Sequence, residues 1–401
     1  MTFQDIQKKD ETYIARTYGR YPVLIKQGQG RALVNGEGRT LIDFSSGIGV
    51  SSMGYANPKW VKAVTGQIEK LAHISNLYYT QPMTELAEKL CTRTGMRRVF
   101  FSNSGAEANE GAIKTARKYM SDNYPGRRDT ILSLLGSFHG RTIATLSATG
   151  QENFHKHFGP WPAGFAFTPV NDTQKLRENC TAKVGAILIE CVQGEGGVNE
   201  LDADFLSEIA EICKERDILL MVDEIQTGVG RTGKFLCVEH YGLTPDVVTL
   251  AKGLGGGLPI GAVLFGQKTM DTLGKGDHGA TFGANPICCA GALAVVDMID
   301  DAFLDEVAQK GAYLKARLER LEGVTKVTGK GLMLGASLVP PLAAGDIVSD
   351  CLQRGIVMLT AKEKLRFLPP LTITKQEIDA GLDILGEALH QAINLTKEPN
   401  Q

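Results

Sequence analysis

The sequence contains no CxxC pair, although it has eight cysteines: Cys91, Cys180, Cys191, Cys213, Cys237, Cys288, Cys289 and Cys351 are scattered along it. That spacing argues against a disulfide framework or a zinc site and fits buried free thiols in a reducing compartment. A basic block is missing as well. Its 43 Lys and Arg stand against 45 Asp and Glu, a formal net charge of -2, so no general attraction to nucleic acid or acidic membranes is implied. Long apolar runs are absent. The longest, such as Val184 to Ile189, are strand-sized, far short of the ~20 residues of a bilayer-spanning helix. Met1 to Glu11 is polar and lacks the apolar stretch of a signal peptide. A soluble, cytoplasmic, globular protein is expected.

What is present is ample core material: 401 residues, 43% of them hydrophobic, enough for two or three units at ~150 residues each. From about residue 98 to 265, short apolar strands alternate with helical stretches. Val99-Phe100-Phe101 leads into a helix over Ala106 to Met120, with Ala108, Ala112, Ile113, Ala116 and Met120 on one face. Further strands are predicted at Ile131 to Leu135, Val184 to Ile189, Ile218 to Val222, Val247 to Leu250 and Gly261 to Phe265. This alternation predicts an α/β fold with a mainly parallel sheet covered by helices, whose ligands bind at the strands' carboxyl ends. Residues 22–44 carry turn signals between short β-like pieces. After residue 300 a helix precedes two-stranded material at 324–327 and 332–338. Thr374-Lys375-Gln376-Glu377 is a capping box, opening a helix with Ile378, Leu382, Leu385, Leu389 and Ile393 on one face. The expected organisation is an N-terminal segment, 1–50, packing with a smaller α+β domain at 300–401, around a large domain at 51–299.

Lys252 follows the apolar Val247, Val248 and Leu250 and opens the glycine-rich Gly253-Leu254-Gly255-Gly256-Gly257 turn. An amine at such a strand end is presented into a crevice, where desolvation favours its nucleophilic form. A surface lysine before a flexible loop would have the same local sequence. Asp223, at the end of another strand (Leu219-Leu220-Met221-Val222-Asp223), gives the lysine a second meaning. A Schiff-base amine and a carboxylate for a pyridinium nitrogen are what pyridoxal phosphate requires; a salt-bridged or capping strand end is the plainer alternative. Gln226, three residues on, could bond the ring's phenolic oxygen.

Ser102-Asn103-Ser104-Gly105-Ala106 joins a strand to a helix and offers free first-turn amides to an anion; an ordinary serine N-cap reads the same way. Phe138-His139-Gly140-Arg141-Thr142 could stack an aromatic ring on a flat cofactor and clamp a carboxylate with Arg141, or be core packing with a surface arginine. Glu190 and Glu195 cap a strand amid Gly194, Gly196 and Gly197. Arg366 is a lone cation in an apolar, proline-stiffened stretch and needs a dedicated partner. Gly228 to Phe235 satisfies GxGxxG and most of a P-loop. However, Phe235 stands where a magnesium-holding Ser or Thr belongs, and the segment is poor helix material. His155-Lys156-His157 and Cys288-Cys289 read as loop and core, and no metal is expected.

Together these segments resemble the class III aminotransferases of the fold-type-I pyridoxal-phosphate superfamily. The resemblance runs from Thr17-Tyr18-Gly19-Arg20 and Asp43-Phe44-Ser45-Ser46-Gly47-Ile48 to Leu365–Leu371. It implies that Lys252 carries pyridoxal phosphate, Asp223 pairs with its pyridine nitrogen, Ser104, Gly105 and Ala106 hold the phosphate, Phe138 stacks on the ring and Gln226 lies beside it. Thr281 would reach the phosphate of a neighbouring subunit, making the active unit at least a homodimer. Arg141 and Arg366 would bind substrate carboxylates and Glu195 would neutralise Arg366, with Tyr18 and Ala280 also on the substrate side. Two positions depart from the family pattern. Cys191 replaces a usual proline, and Ala280 replaces a serine, which puts one distal hydrogen bond in question.

The implied reaction moves the terminal amine of N2-acetylornithine to 2-oxoglutarate, giving N-acetylglutamate 5-semialdehyde and glutamate, a step of arginine biosynthesis. Succinylornithine, ornithine, 4-aminobutyrate or an N-acyl-diaminopimelate would change the pathway but not the chemistry. A nucleotide-binding enzyme and a non-catalytic regulator are the rival classes; the intact Lys252/Asp223 pair argues against the second.

Overall fold

The computed structural model describes residues 1–397. Its centre is a seven-stranded sheet in the order Arg98–Ser102, Gly261–Phe265, Val247–Leu250, Leu219–Asp223, Val184–Ile189, Thr130–Leu134 and Phe165–Thr168. The last five run parallel. They are apolar along their length because both faces are covered: every residue of Val184–Ile189 and of Leu219–Asp223 is buried.

Two features depart from the strand pattern read in the sequence. Gly261–Phe265 is antiparallel to both neighbours, because residues 251–260 are too few for the parallel crossover of a dozen or more that would reverse it. Phe165–Thr168, at the edge, was not foreseen. The Gly105–Asn123 helix buries the Ala108, Ala112, Ile113, Ala116 and Met120 face, and Asn109 and Thr115 with it.

A smaller assembly draws on both ends of the chain. Ile25–Gln29, Ala32–Asn35 and Thr40–Asp43 form an antiparallel meander, and Ile356–Val357 adds in parallel beside Thr40–Asp43. Val324–Lys330, Met333–Leu338, Lys364–Phe367 and Leu359–Ala361 make a second antiparallel sheet. The Lys375–Lys397 helix covers this region, its start fixed by reciprocal bonds between Thr374 and Glu377 (3.2 Å and 2.7–2.9 Å). Among the described residues no helix is long and apolar enough to cross a membrane.

The GxGxxG-like stretch is a joint and not a phosphate loop. Residues 225–232 run as consecutive turns that open no α-helix, and Arg231 is only 2% exposed. Its guanidinium donates to the carbonyls of Leu332 (3.1 Å) and Pro369 (2.5 Å) and reaches Ser46 Oγ at 3.5 Å. One side chain thus ties the loop after Asp223 to the smaller assembly.

Arg231→Met should therefore cost about 2–4 kcal/mol, since it strands buried carbonyls without a donor. Arg98→Met, which breaks an ion pair with Asp271 whose side chains are 58% and 69% exposed, should stay within about 0.5 kcal/mol. Denaturant unfolding of both variants checks this; equal losses would remove Arg231 from its role as a joint.

Candidate active site

The carboxyl ends of the central strands open on one cavity of about 450 Å³, lined by Ser104, Gly105, Ala106, Phe138, His139, Arg141, Glu190, Asp223, Gln226 and Lys252 among others. Each polar group arrives on a strand end or the turn after it. Lys252 opens a short 3-10 turn at φ +42°, a left-handed backbone that is uncommon outside glycine and clusters at functional positions. Its amine is pressed below its ordinary pKa by burial. The negative charges of Asp223, Glu195 and Glu190 oppose that shift and Arg366 reinforces it.

Asp223 is 4% exposed and fully engaged. Its Oδ2 accepts from Asn109 Nδ2 at 2.7 Å and lies 2.8 Å from His139 Nδ1, while Oδ1 accepts from the Ile225 amide at 3.0 Å. Asn109 is itself fixed, donating to the His139 carbonyl at 2.8 Å and accepting from Thr249 Oγ1 at 2.8 Å. Sequence reasoning missed Asn109, His139 and Thr249 as a support for the carboxylate. One signal existed: a polar asparagine inside the buried alanine face of the Gly105–Asn123 helix.

Across the cavity, Glu190 Oε2 accepts from the Phe138 amide at 2.9 Å. Burial, and then the charge on Asp223, push the Glu190 carboxyl well above the usual carboxylate range. Glu195 behaves oppositely. Burial works to raise its pKa, but the charge and hydrogen bond of Arg366, with the charge of Lys252 and a bond from Gln226, together outweigh it and the net shift is downward. Arg366 Nη1 donates to Glu195 Oε1 at 2.5 Å, and Gln226 Nε2 touches the same oxygen at 3.5 Å. A Cβ on Gly194 would lie 2.1 Å from Gln226 Oε1, so any other residue there would push the Gln226 amide aside.

Arg141 stands at the cavity wall with no ion pair or hydrogen bond to its guanidinium among the described residues. Ser104 Oγ caps the helix, accepting from the Glu107 amide at 3.1 Å, so the N-cap reading of that hydroxyl holds. The Gly105 and Ala106 amides precede the first intrahelical bond and line the cavity. Thr281 and Tyr18 are exposed, Ala280 is half-buried, and none of the three lines the cavity of a single chain.

The cavity fits a flat, anionic, aldehyde-bearing cofactor such as pyridoxal phosphate. It offers an amine, a buried carboxylate, an aromatic face and two free amides at a helix start. Buried polar atoms without partners, His139 Nε2 and Gln226 Oε1, mark the same wall.

The chain matches the class-III aminotransferase family over residues 13–389. It is 48% identical, over 98% of its length and 100% of the relative's, to acetylornithine aminotransferase of Haemophilus ducreyi. The solved ornithine aminotransferase of Toxoplasma gondii superposes with a TM-score of 0.94 at 30% identity, covering 98% of this chain and 96% of that one. The N-acetylornithine aminotransferase of Stenotrophomonas maltophilia gives 0.83 at 36% identity, covering 97% and 100%. The fold is that of the pyridoxal-phosphate aminotransferases. The chain belongs to the class-III aminotransferases, a pyridoxal-phosphate-dependent family, and is an aminotransferase.

The charge balance around Lys252 yields a pH prediction. In cofactor-free protein Lys252 should become reactive toward an amine-labelling reagent at lower pH than exposed lysines, because burial disfavours its ammonium form. Asp223→Asn removes the largest opposing charge, so the onset should move lower still. Peptide mass spectrometry across a pH series measures it; an onset matching that of exposed lysines would overturn the assignment.

Proposed function

We propose that the chain transfers the terminal amino group of N2-acetyl-L-ornithine to 2-oxoglutarate with pyridoxal phosphate as cofactor, as a homodimer. The observation that carries this reading is the unequal treatment of two guanidiniums. Arg141 is unpaired, whereas Arg366 is neutralised by Glu195 within the site. 2-Oxoglutarate carries two carboxylates, one beside the reacting carbon and one distal, and can use both arginines. Acetylornithine has one carboxylate, distal to the amine, and would leave a bare Arg366 facing an apolar carbon chain. Pairing Arg366 with Glu195 removes that unpaired buried charge. The acetylornithine aminotransferase names of relatives at 40–48% identity support the donor.

Pyridoxal phosphate supplies, when bound, an aldehyde that condenses with amines and a conjugated ring that accepts electrons released at the substrate carbon. The chain's residues do the rest. Lys252 would hold the aldehyde, and its amine, when free, would take the proton from the amine-bearing carbon. Asp223, fixed by Asn109, His139 and the Ile225 amide, would pair with the ring nitrogen. Phe138 would pack on the ring and Gln226 would bond its phenolic oxygen. The Gly105 and Ala106 amides, with Ser104, receive the phosphate.

Thr281 supports the dimer. It sits on an apolar strip, since Phe282 is 60% exposed and nearby Tyr79 is 95% exposed. Asn76 ties the two stretches together through the Gly283 carbonyl at 2.7 Å and the Ala280 carbonyl at 3.3 Å. A second copy covering this strip would bring Thr281 to the other subunit's phosphate. All eight cysteines are free, which suits a cytoplasmic setting.

A panel of amine donors, read through the absorbance of the bound cofactor, tests the substrate. N2-acetylornithine should outrun ornithine, succinylornithine, 4-aminobutyrate and N-acyl-diaminopimelate, and Lys252→Ala should bind cofactor without turning over. Preference for another donor would overturn the substrate and leave the chemistry. Near wild-type turnover by Lys252→Ala would remove Lys252 from its role.

Glu195→Ala should impair the acetylornithine half-reaction while sparing or improving that of glutamate. Single-turnover measurements of both decide it. Equal losses would rule out a switch at Arg366.

A further inference from the structure

Phe154 lies outside the cavity lining, in the short Glu152–Phe154 turn that follows the Ile143–Ala148 helix, and is half-buried. The Arg141 guanidinium carbon sits 4.1 Å from the centre of its ring and 5.5 Å from that of Phe138. The two rings meet edge to face, with centroids 6.0 Å apart and planes at 75°. Arg141 is thus held by aromatic faces alone.

We propose that Phe154 is a positioning residue for Arg141, fixing the guanidinium so that its donor edge stays open to the distal carboxylate of either substrate. The proposal rests on the reading of Arg141 as a carboxylate-binding cation. A long, exposed arginine side chain samples many rotamers, and each must be given up when a carboxylate is clamped. A protein acid could order it, but that acid would compete with the substrate, as Glu195 does at Arg366. A ring orders the guanidinium through its π face and leaves all five N–H groups in the guanidinium plane free.

The ring is itself fixed. Its loop is fastened to the one that carries Phe138. Gly136 N donates to the Gly150 carbonyl at 2.7 Å, Gly150 N to Ser137 Oγ at 3.0 Å, and Gln151 Nε2 to the Ser137 carbonyl at 3.1 Å. On the other side His155 Nε2 lies 2.8 Å from the Leu146 carbonyl. Phe138 is anchored through its amide to Glu190. Both rings are therefore positioned before any substrate arrives.

The test compares Phe154→Leu, which keeps apolar volume without a π face, with Phe154→Tyr, which keeps the face, and uses Arg141→Met as control. In the holoenzyme, single-turnover saturation curves are recorded with N2-acetylornithine and with glutamate. Phe154→Leu should raise the half-saturating concentration of both substrates by about fivefold, the scale of one cation–π contact, with the rate at saturation kept within about twofold. Phe154→Tyr should stay near wild type, and Arg141→Met should exceed Phe154→Leu. If Arg141→Met leaves half-saturation unchanged, the carboxylate reading of Arg141 fails and this proposal falls with it. If Arg141→Met raises half-saturation but Phe154→Leu does not, or if Leu and Tyr act alike, Phe154 has no positioning role and the reading of Arg141 stands.

Discussion

The contact between Arg231 and the carbonyls of Leu332 and Pro369 sets how the two halves of the molecule meet. These carbonyls flank the same end of the paired strands Met333–Leu338 and Lys364–Phe367, in which Leu334 lies opposite Phe367. Arg366 stands on the second of those strands and Asp223 ends the strand before the loop that carries Arg231. The buried guanidinium of Arg231 is thus one of the ties between the segment after Asp223 and the strands that include Arg366. Burial lowers its pKa to about 9, with the charge on Asp43 opposing, so it remains charged at neutral pH. Taking such a charge out of water is costly and carbonyl dipoles only partly repay it. What the joint contributes is direction. Arginine presents several donors in one plane, and close backbone packing leaves nothing else room: a Cβ on Gly331 would lie 2.5 Å from Thr232 C.

Asp223 and Glu190 line the cavity, Glu195 lies beside it against Gln226, and their different partners give the three carboxylates different environments. Asp223 has three donors and a neighbouring amine. Glu195 has a cation, which keeps its pKa low. Glu190 has a single amide, and burial together with Asp223 drives it toward the neutral form. Without that division, three negative charges would crowd around Lys252, raise its pKa and quench its nucleophilicity. The structure limits this by pairing Glu195 with Arg366 and by burying Glu190, which raises the pKa of its carboxyl.

Local sequence rules reached some of these features and not others, for a physical reason. The buried strands, the Gly105–Asn123 helix and the Thr374–Glu377 cap are encoded within a few residues, by period and by capping chemistry, and they were legible. The strand-end positions of Lys252 and Asp223 were legible because each follows an apolar run. Arg231 looked like part of a nucleotide motif, since its partners lie 101 and 138 positions away and no local pattern announces them. His139 sat inside a motif noticed for its neighbours Phe138 and Arg141, and its bond to Asp223 spans 84 positions. The reversal of Gly261–Phe265 follows from the length of the preceding loop, a constraint that strand periodicity does not carry.

On the proposed reading, Arg141 and Arg366 are two ways of keeping a cation ready for a carboxylate. Arg366 is buried and could not remain bare, so an acid accompanies it, and on the proposed reading that acid is displaced when a substrate carboxylate enters. Arg141 is exposed and can be solvated, so its difficulty is disorder and not charge. Aromatic faces address disorder at no electrostatic cost to the incoming anion. The buried cation is conditional, answering only a ligand that can replace Glu195, and the exposed one is constitutive. An enzyme that alternates between a donor with one carboxylate and an acceptor with two needs one of each.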